Sequence, residues 1–174
     1  AKSEITIAPG AGSFTFVHER GHGSRPLTGY TYLPAGVKAE AARIVFVMHG
    51  VSKNADRYRD VWIEHADRHR FLVIAPRFDR ENWGRGAYSY SSVVGRDGTR
   101  HEPPQWSYSA IEHLFDTVKQ ATGNTSERYF IYGHSEGGQF VHRLVLFVPE
   151  ARYAKAVAAN PGWYTMPTFA VGFP

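Results

Sequence analysis

Apolar and polar positions along the chain fall into two rhythms, and they alternate. Ser13–Val17 alternates, and Thr28–Leu33 is rich in aromatic and β-branched residues before Pro34, Ala35 and Gly36 break it. The turn-rich stretch 21–26 lies between them, so an antiparallel pair is predicted. Arg43–Met48 and Phe71–Ala75 are continuous apolar runs, the pattern of strands covered on both faces, with Pro76 as the stop of the second. Between these two runs Asn54 is placed to cap a helix. Its apolar positions would be Tyr58, Val61, Trp62, His65 and Ala66, at i, i+3, i+4, i+7 and i+8. Further helices are predicted over Tyr108–Ala121, ending at Gly123 and Asn124, and over Glu136–Val148. Strands are predicted over Arg128–Tyr132 and Ala154–Ala158. Strands alternating with helices imply an α/β fold with a mostly parallel sheet and right-handed crossovers, as one domain or part of one.

Residues 77–107 follow neither rhythm. They carry Trp83, Tyr88, Tyr90 and Trp106 among glycines and prolines. An irregular connection this long is either a binding loop or a surface loop anchored by its aromatics.

Composition narrows the class. The chain has 174 residues, no cysteine and a net charge of +4. It is long enough to bury a core without disulfides, and thiol catalysis and cysteine-zinc sites are excluded. The bases alternate with acids through Asp56, Arg57, Arg59, Asp60, Glu64, Asp67 and Arg68, which reads as a solvated helix face and not as a nucleic-acid surface. No apolar run approaches the ~18 residues of a membrane span. The start Ala1-Lys2-Ser3-Glu4 is compatible with a mature terminus left by signal cleavage, or with an arbitrary boundary.

The strongest chemical signal is Gly133-His134-Ser135-Glu136-Gly137-Gly138. Gly-x-Ser-x-Gly between a predicted strand and a predicted helix is a nucleophile elbow, in which only small residues fit beside the strained serine. Ser135 is the candidate nucleophile, beside the positive end of the following helix. The strand 43–48 runs into His49-Gly50-Val51, the place from which an oxyanion donor is taken. The backbone N–H groups of Val51 and Glu136 are the candidate oxyanion hole. His49 is expected to bond loop backbone and not to serve as base.

With these residues in view the chain resembles the α/β-hydrolase superfamily, and within it the polyhydroxybutyrate depolymerase-like and feruloyl-esterase-like serine hydrolases. The matching runs are His49-Gly50, Phe71–Pro76 and Gly133–Gly138, and the order of elements agrees from residue 13 to about 160. The resemblance implies an ester or acyl substrate, an acyl-enzyme, no metal or organic cofactor, and export to the periplasm or beyond. It also implies a triad in the order Ser, acid, His, with the last two on late loops.

After Ser135 there is no Asp, two Glu (Glu136 and Glu150) and one His (His142). Glu136 belongs to the elbow itself, with its side chain expected to turn away from the serine's partner. Glu150 falls at the far end of the helix. His142 is seven residues into that helix, roughly 10 Å along its axis, against the ~3 Å a general base needs. The triad is therefore not completed by this sequence, and the pattern yields six strands where the resembled fold has eight. Residues 1–174 read as the N-terminal part of one α/β-hydrolase domain, complemented by a C-terminal chain or segment. Truncation or an inactive binding relative are the alternatives. Trp83, Tyr88, Trp106 and Trp163 are candidate substrate-binding aromatics, with plain packing as the other reading. His65 and His69 are four apart on one helix, but the first lies on the apolar face, so a core role for it is expected and not a metal pair.

Overall fold

The computed structural model describes residues 5–19 and 24–173, with Arg85 described by its backbone only. The chain start at 1–4 and part of the connection expected at 21–26 lie outside the described residues. Six strands are formed: β1 (Gly10–His18), β2 (Arg25–Leu33), β3 (Arg43–Met48), β4 (Phe71–Arg77), β5 (Tyr129–His134) and β6 (Tyr153–Ala159). They make one sheet in the order β1-β2-β4-β3-β5-β6. β1, β2 and β4 pair antiparallel, while β4, β3, β5 and β6 are parallel.

Two helix layers cover this sheet. On one face lie α1 (Ala55–Val61) and α2 (Ile63–His69); on the other, α5 (Tyr108–Thr122) and α6 (Glu136–Phe147). The short helices α3 (Arg80–Trp83) and α4 (Arg85–Tyr88) belong to the long connection after β4. Alternate residues of the central strands feed alternate cores. Ile44, Phe46, Met48, Leu72 and Ile74 meet Ile111, Leu114, Phe115, Phe140 and Leu144 of α5 and α6. Val45, Val47, Phe71, Val73 and Ala75 meet Ala55 and Ala66 of α1 and α2. Burying both faces is why β3 and β4 show no alternation in sequence.

The structure corrects three local expectations. Pro76 does not stop β4 but lies inside it, opposite Gly29. Pairing with β3 ends at Ile74, so at Pro76 only β2 remains alongside and a missing N–H is tolerated. The helix after Asn54 is interrupted at Trp62, whose N–H bonds to Arg59 O at 3.0 Å in a tightened turn. That joint lays the Trp62 ring against Tyr132 and Phe71, with centroids 5.1 and 6.1 Å apart. It also rotates Val61 and His65 out to solvent, so neither joins the core. Asn54 precedes α1 as expected, yet its side chain makes no capping bond.

Candidate active site

The order of the parallel strands reverses between β3 and β5, and crevices at such a switch point, beyond the carboxyl ends of the strands, are where α/β sheets bind ligands. Met48 stands opposite Gly133, so the segments leaving β3 and β5 emerge side by side. Ser135 sits directly after β5 with φ 58° and ψ −118°, outside the regions ordinary L residues occupy. A side chain on Gly133 would overlap the Gly137 carbonyl, and one on Gly137 would overlap the Met48 carbonyl. The strain at Ser135 is thus fixed by two contacts that only glycine permits. The Ser135 N–H donates to Ala159 O at 3.0 Å and its carbonyl accepts from Gln139 N–H at 3.1 Å, tying the turn to β6 and to α6.

The loop leaving β3 lies against this turn. A Cβ on Gly50 would stand 3.7 Å from the Cβ of Ser135. Residues 50–53 form a tight turn closed by Lys53 N–H donating to Gly50 O at 3.1 Å, with Val51 at its exposed crest. His49 is fully buried and its ring is engaged at both nitrogens. Nδ1 bonds Gly50 O at 2.9 Å, and Nε2 accepts from the Phe78 N–H at 2.9 Å. Burial pushes its pKa down to about 3, and nearby Lys53 and Arg77 add to the effect, so the ring is neutral. His49 holds backbone, as expected for a histidine that precedes Ser135 in a fold that places its base last.

Sequence reading missed what lies behind these two turns. The Lys53 ammonium meets the Glu136 carboxylate at 2.8 Å, both side chains 8% exposed. The same carboxylate accepts from the Ser89 hydroxyl. Lys53 also lies over the Tyr88 ring, 4.1 Å from its centroid, and the Tyr88 hydroxyl donates to His49 O at 2.7 Å. Next to this group Arg143 of α6 is fully buried. It donates to Ser89 O, to Gln139 Oε1 at 3.3 Å and to Thr165 Oγ1 at 2.8 Å. These pairings join positions up to 83 apart, and no local pattern announces them.

The candidate aromatics divide. Trp83, Tyr88 and Trp106 are in the core, with their polar atoms spent on carbonyls: Trp83 Nε1 on Pro26 O, Tyr88 on His49 O, Trp106 Nε1 on His101 O. Packing is their role in this structure, because a ring sealed under protein offers no face to a ligand. Trp163, on the stretch after β6, is 68% exposed. Among the carboxylates and imidazole after Ser135, Glu136 turns to Lys53. His142 bonds Gly138 O at 3.1 Å and accepts from Thr165 N–H at 2.9 Å. Half-buried, it has a lowered pKa and serves as a bracket for the C-terminal stretch.

A doubly covered, mostly parallel sheet with a strained serine between β5 and α6 is the fold of the α/β-hydrolases. No protein-family model and no curated protein matches the chain. Solved structures do. A poly(aspartic acid) hydrolase from Sphingomonas sp. KT-1 is 44% identical with a TM-score of 0.89, over 97% of this chain and 62% of that one. A poly(3-hydroxybutyrate) depolymerase from Bordetella parapertussis is 36% identical with a TM-score of 0.90, over 96% and 57%. An acetyl xylan esterase from Aspergillus awamori shares the fold at 17% identity and a TM-score of 0.59, over 80% and 50%. The chain therefore spans about three fifths of the length of the two more similar proteins.

Proposed function

We propose that this chain carries the nucleophile and oxyanion site of a serine hydrolase that cleaves an ester or related acyl bond. The observation that supports this most directly is the backbone of Ser135, held at φ 58° between two glycines that nothing larger can replace. In the proposed reaction Ser135 Oγ adds to the substrate carbonyl carbon while its proton passes to a base. The N–H groups of Val51 and Glu136 stabilise the oxyanion that forms. The carbonyl re-forms as the bond to the leaving alcohol breaks, and the alcohol takes the proton. Water then adds to the acyl-enzyme by the same route, releasing the acid and restoring the serine.

The base and its acid are assigned to a complementary C-terminal segment. His142, Glu136 and Glu150 do not supply them: the first two are held by other partners, and Glu150 stands past the far end of α6. Two features favour such a segment. β6 is the last strand of the sheet, and beside it a hollow of about 300 Å³ is lined by Val45, Trp62, Phe71, Phe130, Tyr132 and Val157. Beyond β6, Trp163, Tyr164, Met166, Phe169 and Val171 are all more than half exposed. The substrates of the two more similar proteins, a poly(amino acid) and a polyester, make a polymeric acyl substrate the first class to try.

The test is intact mass spectrometry of the full-length protein with and without a fluorophosphonate probe. A single adduct on Ser135, absent in Ser135→Ala, together with loss of ester hydrolysis in that variant, is the expected result. Wild-type protein that takes no probe and turns over no ester would defeat the reading.

A further inference from the structure

The two proposed oxyanion donors come from segments far apart in the chain, and the structure joins those segments by one buried ion pair, between residues 83 positions apart. We propose that Lys53 and Glu136 act as a positioning pair, fixing the Val51 and Glu136 amides relative to each other; the proposal rests on the serine-hydrolase reading above.

Lys53 closes the turn whose crest is Val51, through its N–H on Gly50 O at 3.1 Å. It does so at φ 56°, a conformation an L residue adopts only when its surroundings impose it. The other end of its side chain is held as well, where the ammonium lies 2.8 Å from Glu136 Oε2 and over the Tyr88 ring. Glu136 is the first residue of α6, so its carboxylate and its proposed donor N–H share one backbone position. The second carboxylate oxygen is taken by the Ser89 hydroxyl, which leaves the side chain little freedom to swing. Arg80 adds a tether on the outside, its guanidinium donating to Val51 O at 3.3 Å.

A buried ion pair is a weak device for stability, because desolvating two charges offsets most of their attraction. It is a strong device for geometry, since neither partner can leave without stranding the other. Oxyanion donors need that constancy: their contribution depends on aim, and loss of one donor typically slows reaction by ~10²–10³. Rotation of the peptide plane between Gly50 and Val51 would misdirect one donor while leaving substrate contacts intact. The expected signature is therefore a fall in kcat with little change in KM.

The experiment uses the full-length protein and a short p-nitrophenyl ester, with variants Glu136→Gln, Lys53→Met, the double variant Lys53→Met/Glu136→Gln, and Lys53→Arg. Each single charge-removing variant and the double should lose about tenfold to a hundredfold in kcat, with KM within about threefold, and label with fluorophosphonate more slowly by the same factor. The double variant strands neither partner of the pair and should melt near wild type, so its slow turnover cannot be ascribed to unfolding. Lys53→Arg keeps the charge and should stay within about threefold of wild type. A folded double variant with wild-type kcat, a rise in KM at unchanged kcat, or Lys53→Arg as slow as Lys53→Met would each overturn the proposal. Wild type that neither turns over ester nor labels at Ser135 fails the serine-hydrolase reading instead, and the positioning role falls with it.

Discussion

Two aromatic-rich stretches of this molecule have opposite fates. Residues 78–107 and residues 160–173 both follow a strand of the parallel sheet, both are rich in aromatics, glycine and proline, and neither forms a long regular element. In the first, Trp83, Tyr88 and Trp106 are at most 4% exposed; in the second, Trp163 and Tyr164 are 68% and 60% exposed. The difference lies in partners. The earlier stretch lies over the β1–β2 pair and α6, where Trp83 reaches Pro26 O and where Phe78, Tyr88 and Phe140 stack with ring centroids 4.9 and 5.5 Å apart. The later stretch follows the outermost strand. What holds it is sparser: Thr165 on His142 and Arg143, and Phe173 against Tyr90 and Phe147. The first stretch has a layer to receive its rings; for the second, the complementary segment proposed above would be that layer.

The sharpest way to break the comparison is to remove one ring from each stretch. Trp83→Ala should cost about 3–5 kcal/mol of folding stability, since it empties a fully buried site and strands the Pro26 carbonyl, read as a drop in urea midpoint of the full-length protein. A midpoint within error of wild type would mean the loop is not packed as described.

Next in size is a pH effect on the same loop. His49 accepts from the Phe78 N–H only while neutral, and its pKa falls from 6.5 to about 3 on folding. Between those values the unfolded chain holds a proton that the folded chain does not, so stability falls as pH drops from about 6.5 towards 3, by a few kcal/mol in all. Urea midpoints across that range should show the slope, and His49→Gln should flatten it. An equally steep slope in the variant would assign the effect to other groups.

The smallest effect is expected at Trp163. Among the described residues its ring has little packing to lose, so Trp163→Ala should shift stability by no more than about 0.5 kcal/mol; a larger cost in the full-length protein would place the ring under the complementary segment. If it lines the substrate path, the first of the two sequence-based readings, KM for a bulky or polymeric ester should rise while a short ester is unaffected. Equal KM values for both esters would return Trp163 to the packing role.

How much of this was legible beforehand follows from the range of the forces involved. β3 was read to the residue and α5 and α6 to within one, because a buried strand and an amphipathic helix write their periods locally. The strained turn at Ser135 was legible in part for a similar reason: Gly133 answers to the Gly137 carbonyl four residues on, whereas Gly137 answers to the Met48 carbonyl of β3, and only the recurring Gly-x-Ser-x-Gly pattern announced it. His49, too, could be read as structural, because it precedes Ser135 and the resembled fold places its base last. The interruption at Trp62 was not, because it follows from seating that ring on Tyr132 and Phe71 and not from any breaker in the sequence. Pro76 was misread for the complementary reason: whether a missing N–H matters depends on how far β3 extends alongside.

By itself, then, the sequence determined the α/β class and the strand–turn–helix around Ser135, both written as patterns along the chain. Only the tertiary structure decided that Trp83, Tyr88 and Trp106 pack inward, that Glu136 finds Lys53, and that Arg143 lies buried against Ser89. Those outcomes depend on which surfaces meet across dozens of residues, and burial, which sets the strength of every charge and ring contact, exists only once they have met.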